Sequence, residues 1–485
     1  MPRALAPRPP VAAPPRRRRS PRLLATLACL VAPALALAPA LAPMVGSPLA
    51  AQTPVDTLVV EGLRHNLGLA QQRLLVARGA AGVREARGAL LPSLAVDARR
   101  TEAYGAVIDF GEFVNPAFGA LNGVLGREQF PTDVSFRLPL AQETRLRLVQ
   151  PLYQPAALAA DALARARRDL QGAALAAAAH RLAADIRLAY LDVARAARVV
   201  ELWEVTLPRV AEQLRVNERL VANGRATPDA VLRARAERAE VEQARAEAAM
   251  RHAAAGRALN HLIGRPLDAP VPLVDEAALL PAALPTLDAA LTAARRRDEL
   301  RQAELGVGAA RAGGRLARAP YLPALVAAVD YGTQGDRYRL AADRDFALAT
   351  LSLQWTLFAG GQGAARREQA ALDVAQARAR RDEIARQVEL EVRQAHAAAE
   401  FARVAIATAE ARHASAEGSY RLVARRHGEG LATLVELLEA RTSHTAAGIN
   451  RILTAFDYLA RRVDLARAAA LDPIDPSLFA PTPAR

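Results

Sequence analysis

No lysine occurs among the 485 residues, so all 64 basic side chains are arginine, set against 50 acidic ones. Only one cysteine, Cys29, is present, which excludes a disulfide framework and a cysteine-based zinc cluster. Aromatic residues make up 4% of the chain. So few large rings argue against a compact enzyme core and favour long helices packed through small side chains. An apolar fraction of 52% excludes a disordered chain. The formal charge of +14 shrinks on inspection: seven arginines (Arg3, Arg8, Arg16 to Arg19 and Arg22) precede every acidic residue, and 57 remain to face 50 acids. Acids also lie among the arginines, as Glu237, Glu240 and Glu242 do among Arg235, Arg238 and Arg245. A small, interspersed excess does not point to nucleic acid.

The amino terminus reads as an export signal over residues 1–51. A basic patch at Arg16 to Arg19 is followed by an apolar stretch from Leu23 and then small residues up to Ala51. Pro33, Pro39 and Pro43 break the apolar stretch as a helix, which favours cleavage over a retained anchor. Cys29 falls inside the signal. Beyond it one charge-free window of spanning length remains, Phe346 to Ala365, and it is not helical in pattern. Leu351, Leu353, Trp355 and Leu357 alternate with Ser352, Gln354 and Thr356, the period of a strand with one oily and one wet face.

The chain repeats itself. Leu91-Pro92-Ser93-Leu94 recurs as Leu322-Pro323-Ala324-Leu325, displaced by 231 positions. Arg145-Leu146-Arg147-Leu148 with Leu152-Tyr153 recurs as Thr350-Leu351-Ser352-Leu353 with Leu357-Phe358, displaced by 205. Gly224-Arg225-Ala226-Thr227 recurs as Gly430-Leu431-Ala432-Thr433, displaced by 206. The first copy therefore carries an insertion of 26 residues, and Gly105 to Pro131, rich in Gly, Asn, Phe and Pro, reads as a long loop. A first repeat over 52–285, a second over 286–472 and a tail over 473–485 follow. Each repeat runs helix, strand, loop, strand, long helix, tight turn, helix. The strands centre on Leu94, on Phe136 to Leu148, on Leu325 and on Leu351, with Pro92 and Pro323 at the strand starts, where no donor is missed.

Helix lengths are informative. Ala156 to Ala222 and Ala364 to His427 span 67 and 64 residues, each ~100 Å at the α-helical rise. Shorter helices over Leu58 to Gly88, Asp229 to Ile263, Leu287 to Ala319 and Ala432 to Ala470 pair by length, 229–263 with 287–319 and 432–470 with 58–88, as end-to-end stacks beside the long ones. Val210, Leu214, Asn217 and Val221, and Ile384, Val388, Glu391 and Ala395, step by alternating 3 and 4, the coiled-coil period. Pro208 falls inside the first long helix, where it should kink it.

The ordered set of repeat, strand pairs, Leu357-Phe358-Ala359-Gly360-Gly361 and two Gly-x-x-Thr turns resembles the TolC-type outer-membrane efflux protein family, the outer membrane factors of tripartite efflux and type I secretion systems. The resemblance covers residues 55 to 472. It implies a mainly α fold with membrane β structure: a long antiparallel coiled-coil α-barrel and a transmembrane β-barrel shared by three protomers, four strands each. Physics also asks for an oligomer, because four strands cannot close and open edges do not survive in lipid. Leu351, Leu353, Trp355 and Leu357 should then face lipid, Ser352 and Gln354 the lumen, where Arg145 and Arg147 would bias the pore toward anions. The resemblance makes Asn223, Gly224, Thr227, Gly430 and Thr433 the periplasmic tip that docks a periplasmic adaptor (membrane fusion) protein. It makes Glu436 and Glu439, on one helix face, acidic rings at the entrance. The partners it implies are two further copies, the adaptor, an inner-membrane pump of RND or ABC type, and outer-membrane lipid.

Enzyme chemistry finds no foothold. Gly306-Val307-Gly308 lacks the third glycine of a dinucleotide loop and follows helix rather than strand. The eight histidines show no i, i+4 metal pair, and no Gly-x-Ser-x-Gly elbow exists. No catalytic residue, metal or cofactor is assigned. The rival reading is an exported periplasmic coiled-coil scaffold without a pore, which leaves the two alternating strand pairs unexplained.

Overall fold

The computed structural model describes residues 54–102, 108–135, 137–138, 142–274, 283–335 and 345–480. The export signal and Cys29 lie outside the described residues, as do Phe136 and the last five positions. The elements run α1 (Pro54–His65), α2 (Leu67–Gly88), β1 (Ser93–Arg100), β2 (Ile108–Asp109), α3 (Gly111–Leu125), β3 (Arg137–Leu138), β4 (Gln142–Tyr153), α4 (Pro155–Ala222) and α5 (Pro228–Ile263). They continue through α6 (Leu287–Ala294), α7 (Asp298–Arg318), β5 (Ala324–Gly335), β6 (Asp345–Gln354), α8 (Gln362–Gly428) and α9 (Leu434–Ala468).

Two helices dominate, α4 with 68 residues and α8 with 67. The 3–4 seam of the sequence is where α4 is buried: Val210 and Leu214 are covered, and so is Asn217. Asn217 accepts from Gln213 Nε2 (3.1 Å) and donates to the Ala230 carbonyl of α5 (3.3 Å), which fixes the register of that hairpin. Pro208 is accommodated within α4, which runs on to Ala222. On α8, Val388 and Val392 are buried against α6 and the end of α9 through Ala290, Ala294, Leu465 and Ala468.

The helices expected over 58–88 and 287–319 are each divided. Asn66 caps α2, accepting from Leu69 N (2.9 Å) while its amide donates to the Leu262 carbonyl (2.9 Å). Arg297 stands at the start of α7, its buried guanidinium bonded to Glu299 (2.8 Å) and to Glu391 of α8 (2.6 Å). Neither break is marked by glycine or proline, and so it escapes a reading based on helix breakers. The end-to-end stacking also differs from the length-based pairing. The end of α5 meets α1 through the Glu61–Arg265 ion pair (Nε–Oε1 2.7 Å), and α9 ends beside α6. Each stack therefore stays within its own half of the chain. Helix length cannot decide this, because the alternatives sum to nearly the same height.

The main core lies where these ends meet α4. Leu58, Leu63, Ile186, Tyr190, Leu259 and Ile263 are at most 1% exposed, each such aliphatic burial contributing ~1.5–3 kcal/mol. The Tyr190 hydroxyl accepts from Val274 N (3.0 Å). The segment after Asp472 folds back onto this core. Phe479 is buried in it, and Arg73 donates to the carbonyls of Leu478 (3.2 Å) and Phe479 (3.1 Å).

The inserted segment is not the loop its composition suggests. It holds α3, and Asn115 and Asn122 clasp the returning chain at Val134 and Phe130 (2.8 and 2.7 Å), with Phe118 stacked on Phe130. The asparagines that signal a turn act here as side-chain clamps on a helix.

Candidate functional site: a two-faced sheet and a helical tip

The four longer strands form one antiparallel sheet in the order β1-β4-β5-β6. Pro92 and Pro323 immediately precede β1 and β5, as the sequence reading requires. Directly opposed residues share a face, so the registers Leu94↔Leu148, Leu148↔Val329 and Leu325↔Leu353 define one surface. It carries Leu94, Val96, Leu146, Leu148, Val329, Leu351 and Leu353, all large, apolar and exposed. Leu351 and Leu353 lie where the alternation predicts. Trp355 and Leu357 lie past the end of β6, exposed, because β5 begins at Ala324 opposite Gln354 and offers no backbone beyond it.

The opposite face is charged. Arg145 approaches Asp97 (3.3 Å), Glu143 (3.1 Å) and Asp330 (3.9 Å). Arg147 approaches Asp330 (3.7 Å), and Arg99 pairs with Glu143 (2.7 Å). Arg99, Arg145 and Arg147 are thus balanced by Asp97, Glu143 and Asp330, which corrects the expectation that Arg145 and Arg147 act as free positive charge. Asp97, Glu143 and Asp330 lie on β1, β4 and β5. Glu143 is on the same strand as the two arginines, whereas Asp97 and Asp330 reach them only through the pairing of the strands.

At the far end, both helical hairpins turn in the same way. Gly224 and Gly430 take left-handed backbone (φ 69° and 74°), and the next amides reach back, Arg225 N to Leu220 O (2.8 Å) and Leu431 N to Arg426 O (2.7 Å). Glycine adopts this conformation at little cost. Thr433 caps α9 in a reciprocal box: its hydroxyl accepts from Glu436 N (3.2 Å), and the Glu436 carboxylate accepts from Thr433 N (2.7 Å). The Thr433 N–H and, with it, the Thr433 hydroxyl (3.0 Å) donate to the Glu436 carboxylate and hold it below its ordinary pKa. Thr227 occupies the matching position before α5 without capping it, its hydroxyl donating instead to Asp229. Its third helical residue, Ala230, has no carboxylate to complete a box. Glu439, three residues after Glu436, is exposed and has no ion-pair partner among the described residues.

Besides the β4–β5 pairing, two ion pairs join helices of the two halves, and neither was anticipated. Glu237 of α5 and Arg441 of α9 form a buried ion pair, their side chains 17% and 7% exposed. His180 of α4 holds Asp298 of α7 at 2.6 Å. The partners are 204 (Glu237 and Arg441) and 118 (His180 and Asp298) residues apart, which leaves no local sequence trace. Asp298, chiefly through its hydrogen bond, raises the His180 pKa above its ordinary value. Stabilisation from this pair is therefore complete below the unfolded-state value and lost as pH rises through the higher folded-state one. Thermal unfolding followed by circular dichroism should show a midpoint that falls with rising pH in that window, and Asp298→Asn should flatten the profile.

Among the described residues, no helix is long and apolar enough to cross a membrane, a statement that does not concern strands. Residues 290–471 match the model of the outer membrane efflux protein family. The fold as a whole is that of solved outer-membrane channels. CusC, whose structures concern folding and transmembrane channel formation, superposes with TM-score 0.72 at 18% identity, covering 86% of this chain and 92% of its own. The Campylobacter jejuni CmeC outer membrane channel gives 0.70 at 16%, covering 86% and 85%. The outer membrane protein VceC of Vibrio cholerae gives 0.67 at 20%, covering 86% and 95%. No curated protein matches by sequence. The TolC-type resemblance read from the sequence thus recurs in the family match over the second half and in the fold of the whole.

Proposed function

We propose that this chain is a channel of the outer membrane, extending into the periplasm, that serves as the exit duct of a tripartite efflux or type I secretion system. Three copies contribute four strands each to a closed barrel, and their helices form the tube below. The observation that carries this reading is the sheet with large exposed apolar side chains on one face of all four strands and a cluster of paired charges on the other. In a soluble scaffold, exposed leucines and valines on four adjacent strands would be an aggregation surface. Around a pore they meet lipid while the charges line water. Two free edges support assembly, since unpaired backbone cannot remain in hydrocarbon.

The duct is passive. An inner-membrane pump of RND or ABC type supplies the energy, and a periplasmic adaptor docks at the tip formed by Asn223, Gly224, Thr227, Gly430 and Thr433. Opening splays the hairpins. Glu436 and Glu439 ring the entrance and favour cations. Planar-bilayer recording on the purified protein tests both parts. Wild type should conduct with cation preference, and Glu436→Gln should lose part of that preference while keeping the helix cap, since glutamine completes the same box. Absence of any conductance would remove the duct. Unchanged selectivity in Glu436→Gln would remove the ring.

A further inference from the structure

We infer that β6 of one copy pairs with β1 of the next in a defined register, with Leu353 opposite Ala98 and Gln354 opposite Asp97, and that β6 lengthens to Phe358 in doing so. The inference rests on the trimeric reading above and specifies its contact. It starts from the strand pairings themselves. In the first half β1 pairs with β4, Leu94 opposite Leu148; in the second, β5 pairs with β6, Leu325 opposite Leu353. Moving Leu94 by 231 and Leu148 by 205 gives Leu325 and Leu353, the same displacements that align the sequence motifs. The two hairpins are thus one unit used twice, in one register.

The joint between the units is also present within the chain, as the β4–β5 pairing. There Leu148 faces Val329, Val149 faces Ala328 and Gln150 faces Ala327. Applying the same displacements turns β4 into β6 and β5 into β1. The outcome is Leu353 opposite Ala98, Gln354 opposite Asp97 and Trp355 opposite Val96 of the neighbouring copy. The β4–β5 joint continues past an irregularity to Tyr153↔Leu325, which becomes Phe358 opposite Leu94. Residues 355–358 are not strand in the single chain. The neighbour's β1 supplies the backbone that β5 lacks there.

Chemistry agrees with this register. Leu353 with Ala98 and Trp355 with Val96 fall on the apolar face, while Gln354 with Asp97 and Ser352 with Arg99 fall on the charged one. A slip of one residue would carry Asp97 or Arg99 onto the lipid face. The helices show a matching gap. Helix α7 lies against both long helices, α2 against α4. On α2, Leu74 is left 69% exposed where its counterpart Leu305 on α7 is half-buried.

Cysteine pairs in a Cys29→Ala background test the register in outer membranes under mild oxidation. Adjacent pairs alternate between the wide and narrow spacings of an antiparallel ladder, so both Leu353→Cys/Ala98→Cys and Gln354→Cys/Asp97→Cys are made. At least one should lose its monomer band to covalent dimer and closed trimer on non-reducing gels. The slipped controls, Leu353→Cys/Val96→Cys and Gln354→Cys/Ala95→Cys, stand at diagonal distances beyond disulfide reach and should stay monomeric on the gel. Cross-linking of the slipped pairs instead would overturn the register and leave the trimer intact. So would the absence of any cross-link from a protein whose detergent-corrected mass is that of three copies. A one-copy mass with no cross-link would overturn the duct reading itself.

Discussion

Arg441→Ala is expected to leave the duct leaking, with basal conductance in planar bilayers well above that of wild type. Arg441 and Glu237 join α9 to α5, and so one helical hairpin to the other, about two turns from the tip. The opening proposed above, by splaying of the hairpins, would separate them. Burial outweighs the pull of Arg441 and holds the Glu237 carboxyl above its ordinary pKa, so the net worth of the intact pair is small. Removing one partner is different, because it strands the half-buried Glu237 carboxylate, at a cost toward the lower end of the ~3–5 kcal/mol known for buried pairs. A change of about 3 kcal/mol shifts a closed-to-open ratio by roughly two orders of magnitude. The double variant Glu237→Leu/Arg441→Leu, which strands nothing, should regain much of the closure. Equal conductance of Arg441→Ala and wild type would mean that this pair does not hold the hairpins shut.

Placing a charge on the apolar face of the sheet should be nearly as damaging. Leu148→Arg puts a guanidinium on the central strand β4, on the face shared with Leu94 and Val329. On a lipid-facing strand near mid-membrane this costs ~2–4 kcal/mol, in each of three copies. The expected result is a severe loss of assembled protein in outer membranes, measured as the fraction of heat-resistant trimer. Ser352→Arg, on the opposite face of β6, should assemble at near wild-type levels. If both variants assemble equally well or fail equally, the two faces do not have the solvents assigned to them.

Much of the architecture was legible because it depends on periodicity. The long helices begin and end within two residues of their sequence-derived bounds, and Leu351 and Leu353 share a face because strands alternate strictly. The glycines of the tip were readable because left-handed backbone selects them. Other features depend on partners that sequence does not reveal. The divisions at Asn66 and Arg297 arise from side chains that reach Leu262 and Glu391 in other helices. The helix α3 was hidden by asparagines whose role as clamps appears only once Phe130 and Val134 fold back onto it. The balanced charge of the sheet needed strand order, which brings Asp97 and Asp330, one from each half of the chain, to Arg145. The Glu237–Arg441 pair, with no local motif, was invisible for the same reason.

The central claim is that an apolar sheet face and paired helical hairpins serve a hollow assembly of three. Negative-stain electron microscopy of the mature chain extracted from outer membranes in detergent tests it most directly. The account predicts three-fold end views with a stain-filled centre and side views with a helical tube ~100 Å long, the length of α4 at the helical rise. Recovery of the protein without detergent, as thin rods with no lumen, would contradict it.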